Sequence, residues 1–138
     1  MARILVIDDQ THVRAAIVVA LRAQGHDVVD AENGPSALHE FAHADFDLAI
    51  VDVFMPGMDG VKLMRALRER KPKLAVIAMS GVPLAGTGGN ALDHLHKAPN
   101  LPGIVCLKKP FRPPELSQAI EKAIAVAAFA GTVDPAPA

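Results

Sequence analysis

Five short, largely apolar runs punctuate the chain, at residues 4–7, 27–31, 48–51, 74–79 and 104–107. Runs of this length, bounded by polar or turn-forming residues, suit strands buried on both faces of a parallel sheet. Between them, apolar residues recur at helical spacing. Val13, Ile17, Ala20 and Leu21 form one such set, with Thr11 as its expected cap and Gly25 as its stop. Ala37, Leu38, Phe41 and Ala42 form a second, opened by Asn33-Gly34-Pro35. Val61, Leu63, Met64 and Leu67 form a third, which starts from Asp59 and ends before Pro72. The last covers residues 113–128, with Leu116, Ile120, Ala123, Ile124 and Ala127 on one face. The stretch from Gly81 to Gly103 is less regular. Its glycine- and proline-rich beginning reads as a loop, and residues 90–97 read as a short helix.

Strands alternating with helical segments predict an α/β domain with a parallel sheet. Right-handed crossovers favour a doubly wound, flavodoxin-like sheet of strand order 2-1-3-4-5 with helices on both faces. A chain of 138 residues suffices for one such domain. The expected domain covers residues 1–130, and residues 131–138 read as a disordered tail. The net charge of −1, with acids and bases interspersed, gives no basic patch, so direct DNA binding is not expected. Cys106 is the sole cysteine, which rules out an intramolecular disulfide and fits a reducing, cytoplasmic compartment. No targeting or membrane-spanning segment is read from the sequence.

The topology gives the polar run-ends their meaning. Asp8-Asp9, Asp52, Ser80 and Lys109 each follow a different predicted strand, and a parallel sheet sends all those ends to one edge. Three carboxylates gathered there repel one another unless a proton or a divalent cation intervenes. All-oxygen ligation suits Mg2+, which favours one or two carboxylates plus phosphate oxygens. Asp52 is then a candidate nucleophile, Lys109 a point charge for a phosphoryl oxygen, and Ser80 a hydroxyl donor to another. The histidines carry no comparable pattern. His12, His26, His39 and His43 read as surface residues, and His94 and His96 do not share a helix face. Cys106 reads as an inert core residue.

Asp8-Asp9, Asp52 with Met55-Pro56-Gly57-Met58-Asp59-Gly60, Ser80-Gly81 and Lys109-Pro110-Phe111 together resemble the receiver domain of bacterial two-component response regulators. Each motif alone is weak, but their order on successive strands is specific. The resemblance spans residues 2–128 and is to a stand-alone receiver. It implies that Asp52 accepts phosphate from a histidine kinase or histidine phosphotransfer protein. It implies Mg2+ ligation by Asp9 directly, by Asp8 mainly through water, and by Asp52 and the backbone carbonyl of Phe54. Ser80 and Lys109 would contact the phosphoryl group, and the Lys109-Pro110 bond would be cis. Lys108 is the near alternative to Lys109, but the family's lysine directly precedes the proline. The resemblance implies a switch acting on a downstream target protein, as a monomer or weak homodimer, with no catalysis beyond its own phosphorylation and dephosphorylation. The apolar end of the last helix, residues 123–129, is a candidate dimer patch.

Two departures stand out. The family often carries Tyr or Phe three residues before the lysine, and here that position is Cys106. The aromatic readout cannot operate there, so a muted or rerouted change is expected on the face made by the fourth predicted helix, the fifth strand and the last helix. The stretch from Ser80 to Lys109 is also long for the family, and the extra residues between Gly81 and Gly103 are expected to form a distinctive partner surface or to order only on phosphorylation or binding. Two other readings compete. A pseudo-receiver scaffold would bind partners without phosphorylation, although every chemical residue is present. A haloacid-dehalogenase-like phosphatase would use the same residue types, but it places Asp-x-Asp after its first strand and carries a cap domain.

Overall fold

The computed structural model describes residues 2–55, 58–81 and 103–132. Chain order gives β1 (Arg3–Ile7), α1 (Thr11–Ala23), β2 (Asp27–Ala31), α2 (Gly34–His43), β3 (Leu48–Asp52), β4 (Phe54–Met55), β5 (Met58–Asp59), α3 (Gly60–Arg70), β6 (Ala75–Ser80), β7 (Val105–Lys108) and α4 (Pro113–Thr132). The main sheet is parallel throughout, in the order β2-β1-β3-β6-β7. With the small β4–β5 hairpin set aside, that is the expected order of a doubly wound sheet. The expected loop and short helix between Gly81 and Gly103 lie outside the described residues, as do His94, His96 and residues 133–138, whereas the last helix runs on to Thr132, into what reads as a disordered tail from residue 131.

The period of two along each strand sorts the core into two layers. Leu5, Ile7, Ala49, Val51, Val76 and Ala78 face α2 and α3, packing on Ala37, Phe41, Leu63, Met64 and Leu67. Ile4, Val6, Leu48, Ile50, Ile77 and Met79 face α1 and α4, packing on Ile17, Val18, Leu21, Leu116 and Ile120. Phe46, fully buried, stacks on Phe41 with ring centres 5.9 Å apart and anchors the first layer.

Helix ends follow local chemistry, with one exception. The Asn33 side chain accepts a bond from the Ser36 N–H at 2.8 Å, and Pro35 sits in the first turn. Gly25 ends α1 with φ of 89°, a conformation costly for other residues. Thr11, however, is the first helical residue and not the cap. Gln10 occupies the cap position with no side-chain cap bond, and its N–H is taken by the Asp8 carboxylate instead. Two apolar residues assigned inward also face solvent. Ala42 is exposed on α2, and Ile124 on α4 is 39 % exposed. On α4 the buried stripe is Leu116, Ala119, Ile120 and Ala123, so the sheet covers a narrower arc than the run of apolar residues suggests.

Candidate active site at the carboxyl edge of the sheet

The strand register brings the polar run-ends together. Ile7 pairs with Val51, Asp52 with Met79, and Ser80 with Lys108. Asp8, Asp52, Ser80 and Lys109 therefore emerge side by side. Asp8 is held from three directions. Its N–H donates to the Ala31 carbonyl at 3.2 Å, its carbonyl accepts from Arg14 Nη1 at 2.7 Å, and its Oδ1 accepts from the Gln10 N–H at 2.9 Å. Asp52 Oδ1 accepts from the Phe54 N–H at 3.0 Å, and the Val53 N–H donates to the Met79 carbonyl at 2.9 Å. The Lys109 N–H donates to the Ser80 carbonyl at 2.8 Å, which fixes the root of the lysine against β6.

The side chains then converge. Lys109 Nζ lies 2.6 Å from Asp8 Oδ2 and 3.3 Å from Asp52 Oδ2. Asp8 is fully buried and Asp52 is 4 % exposed, whereas Asp9 is exposed. Asp8, Asp9 and Asp52 each offer a carboxylate oxygen, and these oxygens lie within 4.8 Å of one another. Lys108 is exposed at the end of β7, and it is Lys109 that reaches the carboxylates. The Lys109-Pro110 peptide bond is cis. Ser80 Oγ is buried and has no hydrogen-bond partner among the described residues. A buried hydroxyl left unpaired is uncommon and points to an absent acceptor.

Burial pushes the Asp52 carboxyl above its ordinary value. The Phe54 N–H bond and the Lys109 charge oppose that rise, and the Asp8 charge adds to it. Three carboxylates against one ammonium leave an excess of negative charge, all of it on oxygen. That donor set fits a hard divalent cation such as Mg2+. A cleft of about 800 Å³ opens over the site, lined by Asp9, Asp52, Phe54 and Lys109 together with apolar residues of α1 and Phe111. Phe54 is 42 % exposed at its rim. Cys106 lies away from this cleft, half-buried against the α2–α3 core layer, where burial pushes its thiol up.

Arg14 and His12 contribute to the site with no sequence signal that identifies them, and Gly60, though part of the quoted motif, packs in a way the sequence does not reveal. Arg14, six residues beyond Asp8, clamps the Asp8 carbonyl. His12 reads as a surface residue and is exposed, yet it lines the cleft. Gly60 follows the Asp59 cap, whose carboxylate accepts from the Val61 N–H at 2.9 Å. A Cβ on Gly60 would stand 2.7 Å from Val53 Cα, 2.8 Å from the Val53 carbonyl oxygen and 3.0 Å from that of Asp52. Those atoms are backbone and cannot rotate away. Gly60→Ala is expected to cost roughly 1–3 kcal/mol in chemical denaturation, the usual range for overpacking. It should also slow any chemistry at Asp52, because the Asp52–Val53 backbone is what must shift. Unchanged stability together with unchanged reactivity would contradict this packing.

Known proteins resemble this chain in sequence and in fold. The family model for the response regulator receiver domain matches residues 4–121. The response regulator receiver protein CpdR of Brucella abortus is 33 % identical over 127 residues, covering 92 % of this chain and all of CpdR. Several other curated relatives are longer proteins, of which this chain spans 20 %, 29 % or 41 % of the length. A response regulator receiver domain protein from Clostridium thermocellum superposes with a TM-score of 0.78 at 29 % identity, covering 94 % of this chain and 99 % of that one. TrrA from Thermotoga maritima, crystallised with Mg(2+)-BeF, superposes with a TM-score of 0.68 at 27 % identity, covering 89 % of this chain and 99 % of that one.

Proposed function

The chain belongs to the response regulator receiver domain family, and from that premise we propose that it is a phosphorylation-dependent switch of a two-component or phosphorelay system. Asp52 accepts the phosphoryl group from a phosphohistidine of a histidine kinase or histidine phosphotransfer protein, and the modified chain acts on a downstream target protein. The observation that carries this reading is the buried Asp52 carboxylate with Lys109 Nζ at 3.3 Å, beside the strand end where the buried Ser80 hydroxyl has no hydrogen-bond partner among the described residues.

Each residue has a distinct task. A carboxylate oxygen of Asp52 attacks phosphorus, and the phosphorus–nitrogen bond of the donor breaks. The imidazole leaves with the electron pair and takes up a proton, and Asp52 is left as an acyl phosphate. Lys109 exchanges part of its pairing with Asp52 for a phosphoryl oxygen. Ser80 Oγ donates to a second oxygen and so gains an acceptor that it does not have among the described residues. Mg2+, held by Asp8, Asp9, Asp52 and the Phe54 carbonyl, would supply positive charge against the phosphoryl oxygens. The carboxylate trio supports that assignment, as does the Mg(2+)-BeF complex of the Thermotoga relative.

Residues 1–130 form the proposed functional unit, acting in the cytoplasm as a monomer or weak homodimer. No helix among the described residues is long and apolar enough to cross a membrane. Within the candidate dimer patch, Ala123 belongs to the core, and Ile124, Ala125 and Ala128 are exposed.

Incubation with Mg2+ and acetyl phosphate tests the reading directly. Intact mass is expected to rise by one phosphate, removable by hydroxylamine as an acyl phosphate should be, and chelation of Mg2+ should stop the uptake. Repeated turnover of phosphomonoesters would instead favour a phosphatase. No uptake from acetyl phosphate or from any histidine kinase would favour a pseudo-receiver scaffold.

A further inference from the structure

The second helix carries a feature that the phosphorylation chemistry does not use. His39 and His43 stand four residues apart on α2, on the same exposed face. Their ring centres are 4.4 Å apart and their planes are tilted by 42°. His43 Nδ1 lies 2.7 Å from the His39 carbonyl oxygen, which can only accept. That contact places the proton of a neutral His43 on Nδ1 and leaves Nε2 with a free lone pair. This is the arrangement by which a backbone carbonyl orients a metal-binding imidazole.

We propose that His39 and His43 form a two-imidazole chelate for a divalent transition metal of tetragonal preference, with Cu2+ bound most tightly. Ligand chemistry carries the choice of metal, and the ring spacing allows a shared ion. With metal–nitrogen bonds of about 2.0–2.1 Å, two imidazoles meeting at a right angle have ring centres roughly 4.5 Å apart, whereas a tetrahedral site needs roughly 5 Å. The observed 4.4 Å is short enough for one ion to join both rings after small side-chain adjustment, and Cu2+ stands highest in intrinsic affinity for nitrogen ligands.

The run His39-Glu40-Phe41-Ala42-His43 spells the His-Glu-x-x-His pattern of zinc hydrolases. The rest of such a site is missing among the described residues. The carboxylates that gather with a third ligand are those of Asp8, Asp9 and Asp52, at the sheet edge. Glu40 follows directly after His39, so it points about a quarter-turn or more away from the histidine pair. Phe41 is committed to the core. The site is accordingly a binding site with open positions for water and not a hydrolytic centre.

Titration of the full, untagged chain with Cu2+ tests the proposal, read by calorimetry and by electron paramagnetic resonance. The wild type is expected to bind one Cu2+ at this site with two imidazole nitrogens, and Ni2+ and Zn2+ should follow in falling affinity. His39→Gln and His43→Gln should each weaken this binding by roughly tenfold or more. The double variant should lose little beyond either single one, because the first loss already breaks the chelate. Both residues are exposed, so circular dichroism should show the fold unchanged. Equal Cu2+ affinity in the wild type and both single variants would overturn the proposal, as would independent, additive losses. Asp52→Asn should leave this binding untouched, which separates it from metal bound at the carboxylate cluster.

Discussion

Asp52→Asn is expected to abolish phosphate uptake from acetyl phosphate and, in metal-free buffer at neutral pH, to raise the melting temperature by a few degrees. The loss follows from chemistry, since an amide oxygen is too poor a nucleophile to form the acyl phosphate. The gain in stability follows from burial. Asp52 is 4 % exposed and its carboxyl titrates above the ordinary carboxylate value, chiefly through desolvation. The folded state therefore holds the Asp52 proton more tightly than the unfolded chain does. From the ordinary value of about 3.8 up to the raised one, stability contributed by this group falls as pH rises, and above that window the penalty persists in full. Asparagine carries no such penalty. Lys109 keeps its closer partner, Asp8 at 2.6 Å, so the substitution strands no charge. Thermal melts of both proteins across pH should diverge toward neutrality and converge as pH falls to the ordinary carboxylate range. A variant that still takes up phosphate, or one less stable than wild type at pH 7 in chelator, would count against this account of the site.

Lys109→Ala is expected to cost about 3 kcal/mol in chelator, because it removes the cation between two buried carboxylates. Asp8 is fully buried and Asp52 nearly so, and Lys109 Nζ is the ammonium that contacts both. Breaking a buried pair by deleting one partner leaves the other uncompensated, at roughly 3–5 kcal/mol. Protonation of Asp52 relieves part of that burden, which places the expectation at the lower end. Mg2+ should restore part of the lost stability while phosphate uptake stays low, since the Lys109 contact to the phosphoryl group is gone. Lys109→Met separates charge from packing. Its side chain can still lie against Gly81, where Lys109 Cδ would be 3.4 Å from an added Cβ. It should lose nearly as much stability as the alanine variant. Lys108→Ala, one residue earlier and exposed, should change neither property. Urea denaturation with and without Mg2+ measures all of these, and an unaltered midpoint for Lys109→Ala would refute the electrostatic argument.

The sheet and the residues at its edge were legible because both are written locally. Residues 27–31 are a strand in the sequence reading and in the structure alike, since the turn signals at Gly25 and at Asn33-Gly34-Pro35 bracket them. Asp8, Asp52, Ser80 and Lys109 could be gathered because parallel topology alone determines where run-ends meet. What periodicity missed depends on contacts between distant segments. Arg68 on α3, which the apolar spacing does not single out, is buried, with its Nε donating to the Leu74 carbonyl at 2.9 Å. No local rule foretells that a guanidinium will bridge a helix to the following strand. The Gly60 contact with Val53 and the Arg14 clamp on Asp8 are hidden for the same reason. Ile124 errs in the other direction, because an apolar residue at helical spacing faces inward only where the sheet extends beneath it.

The bonding around the cleft is lopsided, and that has a mechanical consequence. The Asp8 end is an anvil, tied by Ala31, Arg14 and Gln10 to β2 and α1. Across the cleft, the Ser80 hydroxyl is bound to nothing among the described residues, while the Ser80 backbone is pinned to that of Lys109. A pull on that hydroxyl would act on a backbone hydrogen-bonded directly to the root of the lysine, coupling the two phosphoryl contacts across β6 and β7.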